Sequence, residues 1–218
     1  MPLVFQYGSN CTAARLNSPN RLNGKAEDRG RAQTVEGFDI AFDVYSKTNG
    51  CAASDLVPAP GRKAWGVLYE VPDDFIRGKR TDGKKTLTQI EGPRYEEKTI
   101  QVVDQGGRTC EARTFMVRET ERRDGLATSA AYVSWIVYGL RDHGVPEDWI
   151  AHVVEVAVET NAHASSAAQE EARLSRLCDS KLRDDETKEG THFDYRNSGD
   201  WQNDVRRIIC EPVRLCSS

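Results

Sequence analysis

The spacing of apolar residues changes period partway along this chain. Phe38, Ile40, Phe42 and Val44 alternate with Asp39, Ala41 and Asp43, the period of a strand with one buried face. Between Ser129 and His143, the residues Ala130, Val133, Ile136, Val137 and Leu140 fall on one side of a helix. Strand-like text first and helix-like text later predicts an α+β fold with a mainly antiparallel sheet, curled into a compact barrel flanked by helices.

Further segments fill in this order. Leu3 to Tyr7 is short and mostly apolar and meets Gly8, a buried strand with a turn after it. Asn49-Gly50 marks a turn. Trp65 to Val71 reads as a buried strand stopped by Pro72. Tyr95 to Val103 and Thr109 to Val117 flank Asp104-Gln105-Gly106-Gly107, a strong hairpin signal. Gly144 ends the first helix. Pro146 opens a second, with Trp149, Ile150, Val153, Val154 and Ala157 on its apolar side.

At 218 residues, the chain buries a core without covalent staples. The text divides at about residue 162, giving a domain over 1–162 and a charged, partly ordered extension over 163–218 in which Trp201, Ile208 and Ile209 are docking candidates. Residues 77–85 (RGKRTDGKK) hold five basic residues and one aspartate. They read as a solvated loop or as a rim that attracts anions.

Several function classes fall away. A net charge of −4 offers no basic excess for nucleic acid. No apolar run approaches the roughly 18 residues of a membrane span. The opening MPLVFQYGSN lacks a basic region followed by a long apolar one, so a cytoplasmic protein is expected. Six cysteines form no C-x-x-C pair and are expected as free thiols. Histidines 143, 152, 163 and 192 are never three or four apart. They form no helical metal pair, and neither metal nor cofactor is expected. The oligomeric state is left open.

Two segments carry candidate chemistry. Gln6-Tyr7-Gly8-Ser9-Asn10 follows a strand and precedes a possible helical turn. Successive backbone N–H groups there can form a concavity for a carboxylate or an oxyanion; the same text also describes an ordinary turn. In Leu87-Thr88-Gln89-Ile90-Glu91-Gly92-Pro93, Glu91 stands among apolar neighbours before a strand. A carboxylate so placed is a candidate base with a raised pKa, or a surface residue before a turn.

Taken together and in order, Tyr7-Gly8-Ser9-Asn10, the Trp65 strand, Leu87-x-x-x-Glu91-Gly92 and Tyr132-x-x-x-Ile136-Val137-x-Gly139 resemble the gamma-glutamylcyclotransferase-like family over residues 1–160. The resemblance implies one pocket at the barrel mouth and a small γ-glutamyl compound as substrate. It implies that the loop of Tyr7, Gly8, Ser9 and Asn10 holds the γ-glutamyl group largely through main-chain atoms. Glu91 is then the acid/base that makes 5-oxoproline and releases an amine, and Tyr132 a substrate contact or a core tyrosine. The same resemblance admits cyclisation of a γ-glutamyl-protected biosynthetic intermediate, or an inactive binding module on the same fold. Thr88 departs from the family's aspartate, which places the support around Glu91 in question, and Cys11 stands for the family's leucine, a tolerable apolar swap. Residues 75–87 look longer than in compact members.

Overall fold

A computed structural model describes residues 1–174 of the chain. Expectations placed on 175–218, including Trp201, Ile208, Ile209 and cysteines 178, 210 and 216, lie outside the described residues. Among the described residues seven strands form: β1 (Leu3–Gln6), β2 (Glu27–Thr34), β3 (Phe38–Ser46), β4 (Cys51–Pro58), β5 (Trp65–Glu70), β6 (Tyr95–Asp104) and β7 (Thr109–Val117). Five close a barrel in the order β1-β5-β2-β6-β7, while β3 and β4 pair as a separate antiparallel ribbon. Closure comes from β1 lying parallel to β7, with Val4 opposite Arg113, so the barrel is mixed. The expected α+β class and barrel are what the chain forms.

Local chemistry accounts for the elements. At the β6–β7 turn, Asp104 Oδ1 accepts the N–H groups of Gly106 and Arg108, and Gly107 takes φ +80°. β5 buries Val67, Leu68 and Tyr69 in succession, hence its unbroken apolar run. Among the described residues there are six α-helices: α1 (Ala13–Leu16), α2 (Asp73–Ile76), α3 (Leu87–Glu91), α4 (Ala130–Asp142), α5 (Glu147–Ala162) and α6 (Ser166–Leu174). Ser129 caps α4 by accepting the N–H of Tyr132 at 3.1 Å.

Two strands carry no strand signal in the sequence. β2 reads EDRGRAQT, and of its side chains only Ala32 and Thr34 are buried. It borders β5 and β6 with a bulge at Asp28–Gly30, so most of its residues face water. β4 reads CAASDLVP, small residues buried from Cys51 to Leu56. Asp55 within it is fully buried, and its carboxylate accepts from the amides of Leu56 and Val117 and from Arg122 Nε at 2.7–2.9 Å. Arg122 also lies 3.6 Å from Asp43, at the irregular pairing of β3 with β4.

The 77–85 loop is more anchored than a solvated insertion. The Arg80 side chain is fully buried, stacks on Phe75 at 4.2 Å, and donates to the carbonyls of Arg21 and Lys85. α6 lies within the stretch read as an extension. Its Ala172 is buried in the main core, and Tyr45 donates to Glu171 at 2.5 Å. Among the described residues no helix is long and apolar enough to cross a membrane.

Candidate functional site

β1 ends at Gln6 and delivers the chain into a single 3-10 turn over Ser9–Cys11. The turn is packed against α4. A Cβ on Gly139 would stand 2.5 Å from the backbone of Cys11 and Thr12, so only glycine lets helix and loop approach this closely. Thr12 Oγ1 adds a bond to the Trp135 carbonyl at 2.7 Å. Gly8 has the same kind of reason for being glycine: a Cβ there would meet Ser54 Oγ at 2.3 Å.

Glu91 arrives from the opposite side. It is the last residue of α3, whose first turn is closed by the Thr86 N–H on Gln89 Oε1 at 2.9 Å. Gly92, at φ +83°, then turns the chain out toward β6. Thr88, the departure from the family pattern, ties α3 to the end of α2 through Oγ1 and the Ile76 carbonyl at 2.7 Å. Glu91 therefore stands on a short helix and not at the mouth of a strand.

The two segments meet. Asn10 Nδ2 donates to Glu91 Oε1 at 2.8 Å, and Arg21 Nη1 donates to Asn10 Oδ1 at 2.9 Å. Burial pushes the Glu91 carboxyl above its ordinary range, against the opposing pull of Arg21, the Asn10 bond and Arg15. Such a carboxylate is a stronger base than one in water.

Tyr7, Gly8, Ser9, Asn10, Glu91 and Tyr132 all line one narrow throat of about 30 Å³, together with Ser54 and Tyr95. It opens into a cleft of about 580 Å³ that shares Ser9, Asn10, Glu91, Tyr95 and Tyr132. The sequence-predicted site residues thus converge, each in a distinct way. Tyr7 OH donates to the Phe115 carbonyl at 2.5 Å. Tyr132 OH accepts the Ser54 N–H at 3.1 Å and pairs with Ser54 Oγ at 3.0 Å, so it is both a core tyrosine and a wall of the site. Burial raises the pKa of Tyr7, Tyr95 and Tyr132, and all three stay protonated.

Sequence reasoning missed three contributors. Ser54 holds Tyr132 and limits Gly8, yet sits in the unsignalled strand β4. Tyr95 donates to the Ser54 carbonyl at 3.0 Å. Arg21 lies in an irregular segment, and nothing local distinguishes it from a surface arginine. Among the described residues no cluster of histidine, cysteine or acidic side chains is arranged to hold a metal ion.

With this geometry in view, the likeness to known proteins takes on detail. Residues 63–153 match the model of the AIG2-like family, a span from just before β5 into α5 that contains Glu91 and Tyr132 but not the Tyr7–Asn10 loop. No curated protein matches the chain. A solved structure named gamma-glutamyl cyclotransferase superposes with a TM-score of 0.59 at 19% identity, covering 81% of this chain and 98% of that one. A structure of an uncharacterized protein from Homo sapiens gives 0.60 at 20% identity, covering 80% and 97%. YkqA from Bacillus subtilis gives 0.58 at 19% identity, over 73% of this chain and 55% of its own. At these identities the structural likeness is one of fold.

Proposed function

We propose that this chain, gamma-glutamylcyclotransferase-like in its barrel and its AIG2-like segment, cyclises a small γ-glutamyl compound to 5-oxoproline and releases the amine. One observation carries the reading: the Glu91 carboxylate and the Tyr7–Asn10 loop line the same throat, joined by the 2.8 Å bond from Asn10.

The chemistry fits a site with one basic group. The substrate's α-amine attacks its own γ-carbonyl, the new C–N bond closes a five-membered lactam, and the amide C–N bond to the leaving amine breaks. Glu91 takes one proton from the α-ammonium before attack and passes it to the leaving nitrogen as that C–N bond breaks; ionised again, it takes the second proton shed by the ring nitrogen and hands it to the departing amine, which leaves as its ammonium. Neither a water nucleophile nor an oxidant enters the balance. What remains is to freeze the few rotatable bonds between amine and carbonyl in ring-closing geometry, a smaller gain than joining two separate reactants because the substrate already carries both groups, and to donate hydrogen bonds to the oxyanion, worth about 3–4 kcal/mol for one donor. The one bond of the 3-10 turn runs from the Cys11 N–H to the Gly8 carbonyl, so the amides of Ser9 and Asn10 have no partner within the turn and are the proposed oxyanion donors. A reducing, cytoplasmic setting suits the buried free thiols of Cys11 and Cys51.

The test is to incubate the full chain with γ-glutamyl dipeptides, glutathione and γ-glutamyl-ε-lysine and to follow 5-oxoproline by mass spectrometry. At least one substrate should turn over. Glu91→Gln should lower that rate by at least about 10²-fold while affinity changes little. Turnover by Glu91→Gln at the wild-type rate would remove Glu91 from the mechanism. A chain that binds γ-glutamyl ligands but turns over none of them is a binding module.

A further inference from the structure

Arg80 lines neither the throat nor the cleft, yet it is tied to both segments that meet at Glu91. Its Nη1 donates to the Arg21 carbonyl at 2.6 Å and to the Lys85 carbonyl at 2.9 Å. Arg21 carries the side chain that reaches Asn10. Lys85 stands directly before Thr86, the N-cap of α3, and Glu91 is the last residue of that helix. One nitrogen thus ties the segment of the carboxylate to the segment of its nearby cation. A second tie runs beside it, from Lys84 Nζ to the Pro19 carbonyl at 2.7 Å. Arg80 is itself held by the Phe75 ring at 4.2 Å and by Asp82 at 2.5 Å, with its side chain fully buried. For stability alone this is a costly arrangement. Arg80 Nε is buried with no hydrogen-bond partner, and apolar side chains often replace buried ions without loss of stability.

We propose that Arg80 is a positioning residue for Glu91: through the Arg21 and Lys85 carbonyls it keeps Arg21 where the Asn10 amide must present its N–H to the carboxylate. The inference rests on the reading of Glu91 as the base. A guanidinium has only donors, so Asn10 turns Oδ1 toward Arg21 and Nδ2 toward Glu91. With Arg21 displaced, nothing in that chain of bonds fixes the amide, and Oδ1 can face the carboxyl instead, which favours the protonated acid. Burial pushes the Glu91 carboxyl up, and Arg21, the Asn10 bond and Arg15 oppose it. The other charged or titratable groups on the surrounding walls are Lys47, Lys85 and Arg94 in the cleft and Tyr7, Tyr95 and Tyr132 in the throat.

The experiment follows Glu91 by carbon NMR of its side-chain carboxyl, with Glu91→Gln identifying the signal, beside the pH profile of kcat/KM. Arg80→Met should raise the Glu91 midpoint by about 0.5–1 pH unit, a fraction of what a whole opposite charge supplies. The acidic limb of kcat/KM should move by the same amount, with the alkaline plateau within about twofold of wild type. A merely structural role lowers kcat/KM at every pH and leaves the midpoint in place. Arg80→Lys, which restores a cation and a donor, should recover part of the shift. Arg21→Met/Arg80→Met should shift no further than Arg21→Met alone, since both act along one path. Arg80 is enclosed, and its methionine variant can fail to fold; Arg80→Lys and Lys84→Ala then carry the test, each with a smaller shift in the same direction. If no substrate turns over, a raised midpoint keeps the positioning role while the cyclisation reading falls. An unchanged midpoint in the folded variants, or shifts that simply add in the double variant, would overturn the proposal.

Discussion

Asp43 offers a quantitative test of how charge is buried behind the site. Its carboxyl is pushed up to about 6 from an ordinary 3.8, first by burial, then by the neighbouring Asp55 charge, with Arg122 pulling the other way. Its Oδ1 is buried without a hydrogen-bond partner. A carboxyl whose pKa is higher folded than unfolded is more readily protonated in the native state. Stability from this group is therefore present below about pH 4 and is lost as pH rises to about 6. At about 1.4 kcal/mol per pH unit, the full span is a ceiling of ~3 kcal/mol. The side chain keeps 20% of its exposure, and a realistic figure after solvent screening is about 2 kcal/mol. Asp43→Asn removes the charge and keeps the shape. Urea unfolding at pH 4 and pH 8 should show the variant gaining about 2 kcal/mol on wild type between the two pH values. Any constant cost of placing an amide there cancels in that difference. An identical gap at both pH values would refute the reasoning, and a gap that moves against the variant as pH rises would reverse its sign.

Other consequences are more direct. Because Arg21 holds the Glu91 carboxyl down and the base must be ionised to act, Arg21→Met should move the acidic limb of the kcat/KM profile to higher pH. Gly139→Ala puts a methyl against backbone on the Cys11–Thr12 side and should cost about 1–3 kcal/mol in a denaturation experiment, with weakened γ-glutamyl binding. Gly8→Ala should be milder, because its 2.3 Å contact is with a side-chain hydroxyl, Ser54 Oγ, that can turn aside at the cost of its bond to Tyr132, and Ser54→Ala in the same chain should recover part of the loss. Tyr132→Phe strips the partner of the buried Ser54 N–H and should lower stability by about 1–3 kcal/mol, an effect visible by thermal melting without any substrate.

Much of this was legible because it is local. The period change from strand to helix and the Asp104–Gly107 turn are written in a few neighbouring residues, and each appears within a residue or two of its expected place. β2 was not legible because its inward face holds only Ala32 and Thr34, and such a strand looks like a charged loop. β4 was hidden for a different reason: its small residues are buried by partners far away in sequence, a tertiary effect without periodicity. The site divides along the same line. Glu91 and the Tyr7–Asn10 loop were singled out by the ordered resemblance to the family, whereas Ser54, Arg15 and Arg21 stand beside them only through where the folded chain puts them. The 77–85 loop was read from charge alone, and charge does not reveal that Arg80 is enclosed beside Phe75.

The parallel seam between β1 and β7 also sets an order of events. Tyr7 bonds to a carbonyl 108 residues away, and Thr114 reaches the Phe5 carbonyl across 109. Loop closure over such distances is entropically costly, and chains dominated by remote pairings fold slowly. The β6–β7 hairpin and the β3–β4 ribbon need no such closure, since each joins neighbours in the chain. β1, which precedes the other described strands in the chain, is thus expected to be seated last, waiting for β7 to exist. The loop proposed to hold the γ-glutamyl group follows directly on that strand. An intermediate with its hairpins formed but its seam open would have native-like secondary structure and no γ-glutamyl affinity, so binding competence should appear only with the slowest refolding phase.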